Sequence, residues 1–292
     1  MEHCLVKSGA CSVVVGRGHY KGYFPDKKGK LVKVTKTTDN HDEFKYLSNI
    51  RRIDNYSKYF SIPDDVTFIL NPSDPFYNHV KKLTKEKSLF NGSLKCMYID
   101  YAGDKDLLES IQDMTNNEFS FWKSHKTIMN FTKDILNAIN FLHKHKMCHL
   151  DIKPENIMIN TKTKKFKLID FGFSSVEPFA DYIYDLKGTP GYFPRQFHTE
   201  EITRWLPKIE ANDMHPVDGF IPMKTNPKLV YKIDSYCFGR VLYFLKHIYE
   251  AYTKVPCKNK IIKEKLEHII ECLTRNNVYS RLTVDECIRT FL

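Results

Sequence analysis

Two periods of apolar residues divide this chain of 292 residues. Up to about residue 100, short runs rich in β-branched and aromatic side chains recur as "CSVVV", "KLVKV", "VTFIL" and "LKCMYI", separated by Gly, Pro, Asn and Asp, and each predicts a strand. One helical pattern interrupts them at about 40 to 50, where Phe44, Leu47 and Ile50 recur at helical spacing. From about 105 helices take over. In "TIMNFTKDILNAINFLHKHK" the residues Ile128, Phe131, Ile135, Ala138, Ile139 and Leu142 form one stripe, and the basic end Lys144 to Lys146 suits the negative C-terminus of a helix. "NIMIN" and "KFKLID" predict a hairpin. "DSYCFGRVLYFLKHIY" is apolar nearly all round and predicts a buried helix with Asp234 near its N-cap. "IIKEKLEHIIECLT" aligns Ile262, Leu266, Ile269, Ile270 and Leu273 as a last amphipathic helix. The class is α+β, a mainly β part followed by a mainly α part, which suggests two lobes with a cleft between them.

Composition narrows the classes. With 42% hydrophobic residues the chain can fill one large core or two small ones. The longest apolar runs, such as "VLYFL", are broken by Arg240 and Lys246 well short of the roughly 20 residues a membrane span needs. The N-terminus has no basic start followed by an apolar stretch and carries Glu2 where myristoylation requires glycine, and "IRTFL" has no prenylation cysteine. Cytoplasmic residence without a membrane is the expectation. The eight cysteines are scattered singly without a C-x-x-C and read as reduced thiols. The net charge of +10 comes from lysines spread as solvated faces, so no nucleic acid is required as a partner, and acidic protein substrates are the next explanation.

The chemistry gathers in "HLDIKPENIMI". Asp151, Lys153 and Asn156 lie within a six-residue arc, and Asp170 of "DFG" follows fourteen residues after Asn156. An isolated "DFG" or Asp-x-Lys is usually a surface turn; the conjunction at this spacing resembles the eukaryotic-type protein kinases. The resemblance runs from "LVKSGACSVV" to "YSRLTVDEC" and implies a single domain over residues 1–292, with an N-lobe of 1–101 and a C-lobe of 102–292.

That resemblance implies ATP as phosphate donor and Mg²⁺, with Mn²⁺ as the alternative ion, as metal. Asp151 would orient the incoming hydroxyl and take its proton. Lys153 would balance charge at the γ-phosphate, and Asn156 and Asp170 are the implied metal ligands, hard oxygen donors suited to Mg²⁺. Lys33 of "KLVKV" would grip the α and β phosphates with Glu43 as its acidic partner, and Leu31 would narrow the adenine pocket. Ile99 stands at the gatekeeper position, Asp100, Tyr101 and Ala102 at the hinge whose backbone meets adenine, Asp106 at the ribose, and Met158 at the apolar floor. The phosphate loop is matched to "KSGACSVV": Gly9 keeps one glycine, Lys7 and Ser12 replace two others, Ser8, Ala10 and Cys11 complete the loop, and Val14 lies over the adenine. The alternative "GRGHYKG" follows "CSVVV" rather than preceding it and reads as the turn between the first two strands.

Three departures bear on control. Leu150 replaces the arginine that in most of the family binds a phosphate on the activation segment, and leucine offers none of those bonds, each worth roughly 1.5–3 kcal/mol. The segment still carries Ser174, Ser175, Tyr182 and Tyr184, but their modification is not expected to be the main switch. Gln196 stands where the family closes the segment with glutamate, opposite Arg281, and about 25 extra residues separate Gln196 from Asp234. The expected activity is transfer to Ser/Thr hydroxyls of proteins by a monomer, with Asp-x-Lys and Thr189 of "GTPGY" as the implied Ser/Thr features. The rivals are a pseudokinase acting as a binding module and a small-molecule phosphotransferase of related fold. The Lys/Asn/Ile/Tyr/Phe-rich composition is similar to that of kinases from large DNA viruses or parasites, which would set the cytoplasm as a host's, or the virion.

Overall fold

The computed structural model describes residues 6–8, 12–25, 27–37, 43–64, 68–84, 87–115, 121–122, 124–177, 188–189, 191–194, 227–253 and 260–292. They form two compact units, Met1–Asp104 and Lys105–Leu292.

The first unit is built on an antiparallel sheet of β1 (Val6–Ser8), β2 (Ser12–Val15), β3 (Lys30–Lys36), β4 (Phe68–Leu70) and β5 (Leu94–Asp100), in the order β1-β2-β3-β5-β4. Register decides what each face carries, because side chains alternate with period two. Val14 pairs with Lys33, Lys33 with Met97, and Leu31 with Ile99, so these residues share one face, and Lys7 is the backbone partner of Val14. The opposite face presents Val13, Val15, Val32, Val34, Cys96 and Tyr98, all buried in one apolar cluster.

A helix absent from the sequence reading covers that second face. After α1 (Arg17–Tyr20) and α2 (Glu43–Arg51) comes α3 (Pro75–Leu83), which starts with Asp74 and Pro75 and adds Phe76, Tyr77 and Val80 to the cluster. The Phe76 ring meets Phe24 edge-on at 4.7 Å, and Phe24 stacks on Phe68 at 4.2 Å. "GRGHYKG" lies between β2 and β3, the second and third strands, and begins with the one-turn helix α1 instead of being a plain turn. Its tyrosine is fully buried and donates to the carbonyls of Lys27 and Lys30, both at 3.1 Å, which ties the connection to β3.

The second unit contains β6 (Lys105–Asp106), α4 (Leu107–Thr115), α5 (His125–Lys144), β7 (Met147–Cys148), β8 (Ile157–Asn160), β9 (Lys165–Leu168), β10 (Ser175–Val176), α6 (Pro227–Thr253), α7 (Lys260–Thr274) and α8 (Val284–Phe291). Ser124 caps α5 by accepting from the Thr127 N–H, and the stripe read from the sequence is buried. Helix α6 is longer at both ends than the apolar run predicts, so Asp234 sits inside it and is no N-cap. Its fully buried carboxylate instead reaches the loop after β7. Oδ1 accepts from the Leu150 N–H at 2.7 Å, and Oδ2 from the His149 N–H and the His143 imidazole, both at 2.9 Å. Leu150 is held at φ +64°, a left-handed conformation that costs a non-glycine residue about 1–2 kcal/mol.

Two stability outcomes follow. Asp234→Ala orphans two buried N–H groups and releases the strained leucine, so it should cost about 3 kcal/mol or more, read from the denaturant midpoint at unchanged slope. A loss below 1 kcal/mol would contradict the anchoring role. Phe76→Ala should cost about 3–5 kcal/mol, while Ile69→Ala, at a side chain 52% exposed, should stay within about 0.5 kcal/mol. Equal effects of the two would mean that α3 is not part of the first unit's core.

Candidate active site

The segment between β7 and β8 carries three of the sequence-predicted residues, and backbone geometry gathers them around Asp151, which is 3% exposed. The Lys153 Nζ lies 2.8 Å from Asp151 Oδ2. The Asn156 Nδ2 donates to the same Oδ2 at 3.0 Å and to the Asp151 carbonyl at 2.9 Å. Oδ1 accepts from the Thr189 N–H at 3.2 Å and from the Thr189 hydroxyl, whose oxygen also accepts from Lys153 Nζ at 2.9 Å. One carboxylate therefore has two differently used oxygens, one facing a cation and an amide, the other facing a hydroxyl.

Thr189 is delivered to this place by a tight turn. The Tyr192 and Phe193 N–H groups donate to its carbonyl at 3.2 and 3.0 Å. A Cβ on Gly188 would stand 2.1 Å from the Phe193 ring, so only glycine fits there.

His149 orients the arc from behind. Its Nδ1 accepts from the Asp151 N–H at 3.3 Å, and Nε2, which therefore carries the ring proton, donates to the Ile169 carbonyl at 3.1 Å. The Ile169 N–H donates in turn to the Asn156 carbonyl at 3.0 Å, beyond the β8–β9 ladder. These bonds bring Asp170 beside Asn156. Asp170 is exposed at φ +62°, and the Asn156 Oδ1 has no hydrogen-bond partner among the described residues, its amide nitrogen making the bonds to Asp151. An exposed carboxylate and an unused amide oxygen are hard donors that fit Mg²⁺.

The remaining residues are distributed over both units. In the first, Val14, Leu31, Lys33 and Ile99 share the sheet face opposite α3, and Lys33 is 7% exposed. The Asp100 side chain pairs with Lys30 at 3.0 Å, its carbonyl accepts from the Ser61 hydroxyl, and the Tyr101 N–H donates to the Gly29 carbonyl at 3.3 Å. Ala102 keeps both backbone groups unbonded among the described residues, the kind of donor and acceptor edge an adenine matches. Lys7, Ser8 and Ser12 lie on β1 and β2, and the Lys7 and Ser8 side chains are outside the described residues. So are Gly9, Ala10, Cys11, the Glu43 side chain, Tyr182, Tyr184 and Gln196. In the second unit Met158 pairs with Asp106 across β8 and β6 and is buried. Asp106 also caps α4: its Oδ1 accepts from the Glu109 N–H at 2.8 Å, and its own N–H donates to Glu109 at 2.9 Å. Arg281 is buried, donates to the carbonyls of Arg275, Lys232 and Asn276, and lies over the Tyr236 ring.

His143 and His149 are supporting residues that motif reading left out, and they converge on Asp234, which the sequence pattern read as near an N-cap. His143, Cys148 and Asp234 bring three ligand-type atoms within 4.8 Å of one another, but Asp234 is already occupied by its donors, and burial pushes the Cys148 thiol well above its usual pKa. His143 and the buried Asp234 thus form a hydrogen-bonded pair beside the thiol, an arrangement already satisfied without a metal.

A protein kinase domain model matches residues 34–206. The serine/threonine-protein kinase pim-2 of Danio rerio is 34% identical over 107 residues, 34% of this chain and 33% of that protein. The death-associated protein kinase dapk-1 of Caenorhabditis elegans is 30% identical over 163 residues, 54% of this chain and 11% of that protein. Serine/threonine-protein kinase 17A of Oryctolagus cuniculus is 28% identical over 120 residues, 40% of this chain and 28% of that protein. The matches thus span about a third or less of these relatives' lengths. The Cydia pomonella granulovirus kinase PK-1 has the same fold, with a TM-score of 0.58 at 18% identity over 97% of this chain and 91% of that one. The matched region takes in Asp151, Lys153, Asn156, Asp170 and Thr189, and the fold has the sheet-rich N-terminal lobe and helical C-terminal lobe of such enzymes: the chain belongs to the protein kinase domain family.

Proposed function

We propose that the chain is an active, ATP- and Mg²⁺-dependent protein kinase that phosphorylates serine and threonine hydroxyls of other proteins. One observation carries the reading: the Asp151 carboxylate already holds a hydroxyl, that of Thr189, on Oδ1, with Lys153 Nζ bonded to both partners. An acceptor serine or threonine needs the same hold on its proton. Two of the relatives named above, kinase 17A and pim-2, support the Ser/Thr class, being serine/threonine kinases by name.

In this reading Asp151 orients the attacking hydroxyl and takes its proton as the bond to phosphorus forms. Lys153 screens the carboxylate and the transferred group. Asn156 and Asp170 would hold Mg²⁺, which supplies charge neutralisation at the phosphates. In the first unit Lys33 would supply a cation for the α and β phosphates, Ala102 a backbone edge for adenine, and Val14, Leu31 and Ile99 apolar surface for the base. Protein substrates are the partners, and a monomer is sufficient. Cytoplasmic residence belongs to the same proposal, supported by the five buried free cysteines among the described residues. No helix among the described residues is long and apolar enough to cross a membrane.

Transfer from labelled ATP onto an acidic and a basic protein should need Mg²⁺ and disappear in EDTA. Asp151→Asn should lower kcat by about 10²–10⁴-fold, and Asp170→Asn should remove the metal dependence together with the activity. Equal background from the parent and both variants would hand the chain to the pseudokinase reading.

Control should differ from that of a phosphate-read kinase, because Leu150 is 1% exposed and has no donor for a phosphate. Protein made with a co-expressed phosphatase should work within about threefold of protein treated with an upstream kinase, since one charge-assisted bond would already be worth tenfold or more. A large activation would sink this expectation.

A further inference from the structure

If no phosphate is read at position 150, something else has to hold the chain that follows "DFG". The described part of that segment is tied down at successive residues. The Ser174 hydroxyl donates to the His149 carbonyl at 3.3 Å. Strand β10 pairs with β7, Ser175 opposite Cys148 and Val176 opposite Met147. The Glu177 N–H then donates to the Lys146 carbonyl at 2.9 Å. At that point a side chain from α6 intervenes: the Tyr231 hydroxyl donates to the Glu177 carboxylate.

Tyr231 also connects to the catalytic arc. Its ring stacks on His143, centroids 4.6 Å apart at 27°, and His143 donates to Asp234, which holds the His149 and Leu150 N–H groups. Burial and Glu177 push the Tyr231 phenol well above its usual pKa, so it remains a donor at any physiological pH. Glu177 is 20% exposed, and among the described residues its cation is a distant, solvent-exposed lysine, Lys146 at 3.9 Å. Its defined hydrogen bond from a side chain among the described residues is the tyrosine's.

We infer that Tyr231 is a positioning residue for phosphoryl transfer: through Glu177 it fixes the start of the activation segment to the same helix that fixes the catalytic loop, in the role a phosphate and its arginine fill elsewhere. This rests on the proposed kinase activity. A charge-assisted hydrogen bond between two rigid elements is of the strength that a phosphate contact supplies, and it is present without modification.

The test uses the whole chain kept unphosphorylated, with Tyr231→Phe, Glu177→Ala, Glu177→Gln and the Tyr231→Phe/Glu177→Ala double variant. Tyr231→Phe removes one oxygen and keeps the ring on His143. It should lower kcat about tenfold with the KM for ATP unchanged, raise amide exchange at residues 175–177, and leave the thermal midpoint within about 2 °C. Glu177→Ala should do the same, and the double variant should be no worse than either single one. Glu177→Gln, which keeps an accepting oxygen, should restore at least half of the parental kcat. Parental kcat and unchanged exchange in Tyr231→Phe would overturn the inference, as would losses that add in the double variant. A parent that transfers no phosphate would instead refute the activity, and exchange at residues 175–177 would then decide alone whether the tether exists.

Discussion

The buried Asp234 carboxylate is the constraint on which the second unit's chemistry depends. A carboxylate taken wholly out of water is costly unless hydrogen bonds replace its hydration, and here three donors do so. Two of those donors are consecutive backbone N–H groups, those of His149 and Leu150. Consecutive N–H groups converge on one acceptor only when the chain between them turns sharply, which is why Leu150 is driven to positive φ. The strain and the buried charge offset each other. The catalytic loop is consequently shaped by the core, before any ligand arrives.

That shape determines how Asp151 is used. With the loop pinned on one side to α6 and on the other, through His149, to the Ile169 carbonyl, the Asp151 side chain has one place to go. Lys153 and Asn156 then share Oδ2, and Oδ1 is left for a hydroxyl. The division separates two jobs that a free carboxylate would confuse, balancing positive charge and accepting a proton. Lys153, itself in an extended backbone conformation, brings its Nζ back to 2.8 Å from the carboxylate.

Much of this was legible in the sequence because the chemistry requires specific residue types at short spacing. Asp151, Lys153 and Asn156 come from one arc, and Asp170 from the end of the hairpin that follows it, so a linear motif captures a spatial one. The apolar stripes of α5 and α7 were readable for the same reason, one periodic stretch making one buried face. In the hydrophobic pattern Asp234 was visible as a polar residue beginning an apolar helix, and local rules assign such a residue to a cap. Two of its three partners are backbone groups 84 and 85 residues away, which leave no mark in composition. Helix α3 had a signal, Asp74 and Pro75 at its start with Phe76, Tyr77, Val80 and Leu83 on one side, but nine residues give too few repeats to stand out between strands. Tyr231 and Glu177 had none, since an isolated tyrosine and glutamate fit any solvated surface.

In the proposed kinase reading, Leu150 would redistribute a control function instead of abolishing it. An arginine at that place carries a charge that is costly to bury until a phosphate meets it, so the arrangement is loose without modification and tight with it. A leucine that is 1% exposed has no such conditional term, because its burial is favourable in every state of the segment. The equilibrium is then set by groups whose partners are permanent, such as the β10–β7 pairing and the Tyr231 hydroxyl on Glu177. In the proposed reading, a device of that kind would hold the segment without a phosphate read at position 150.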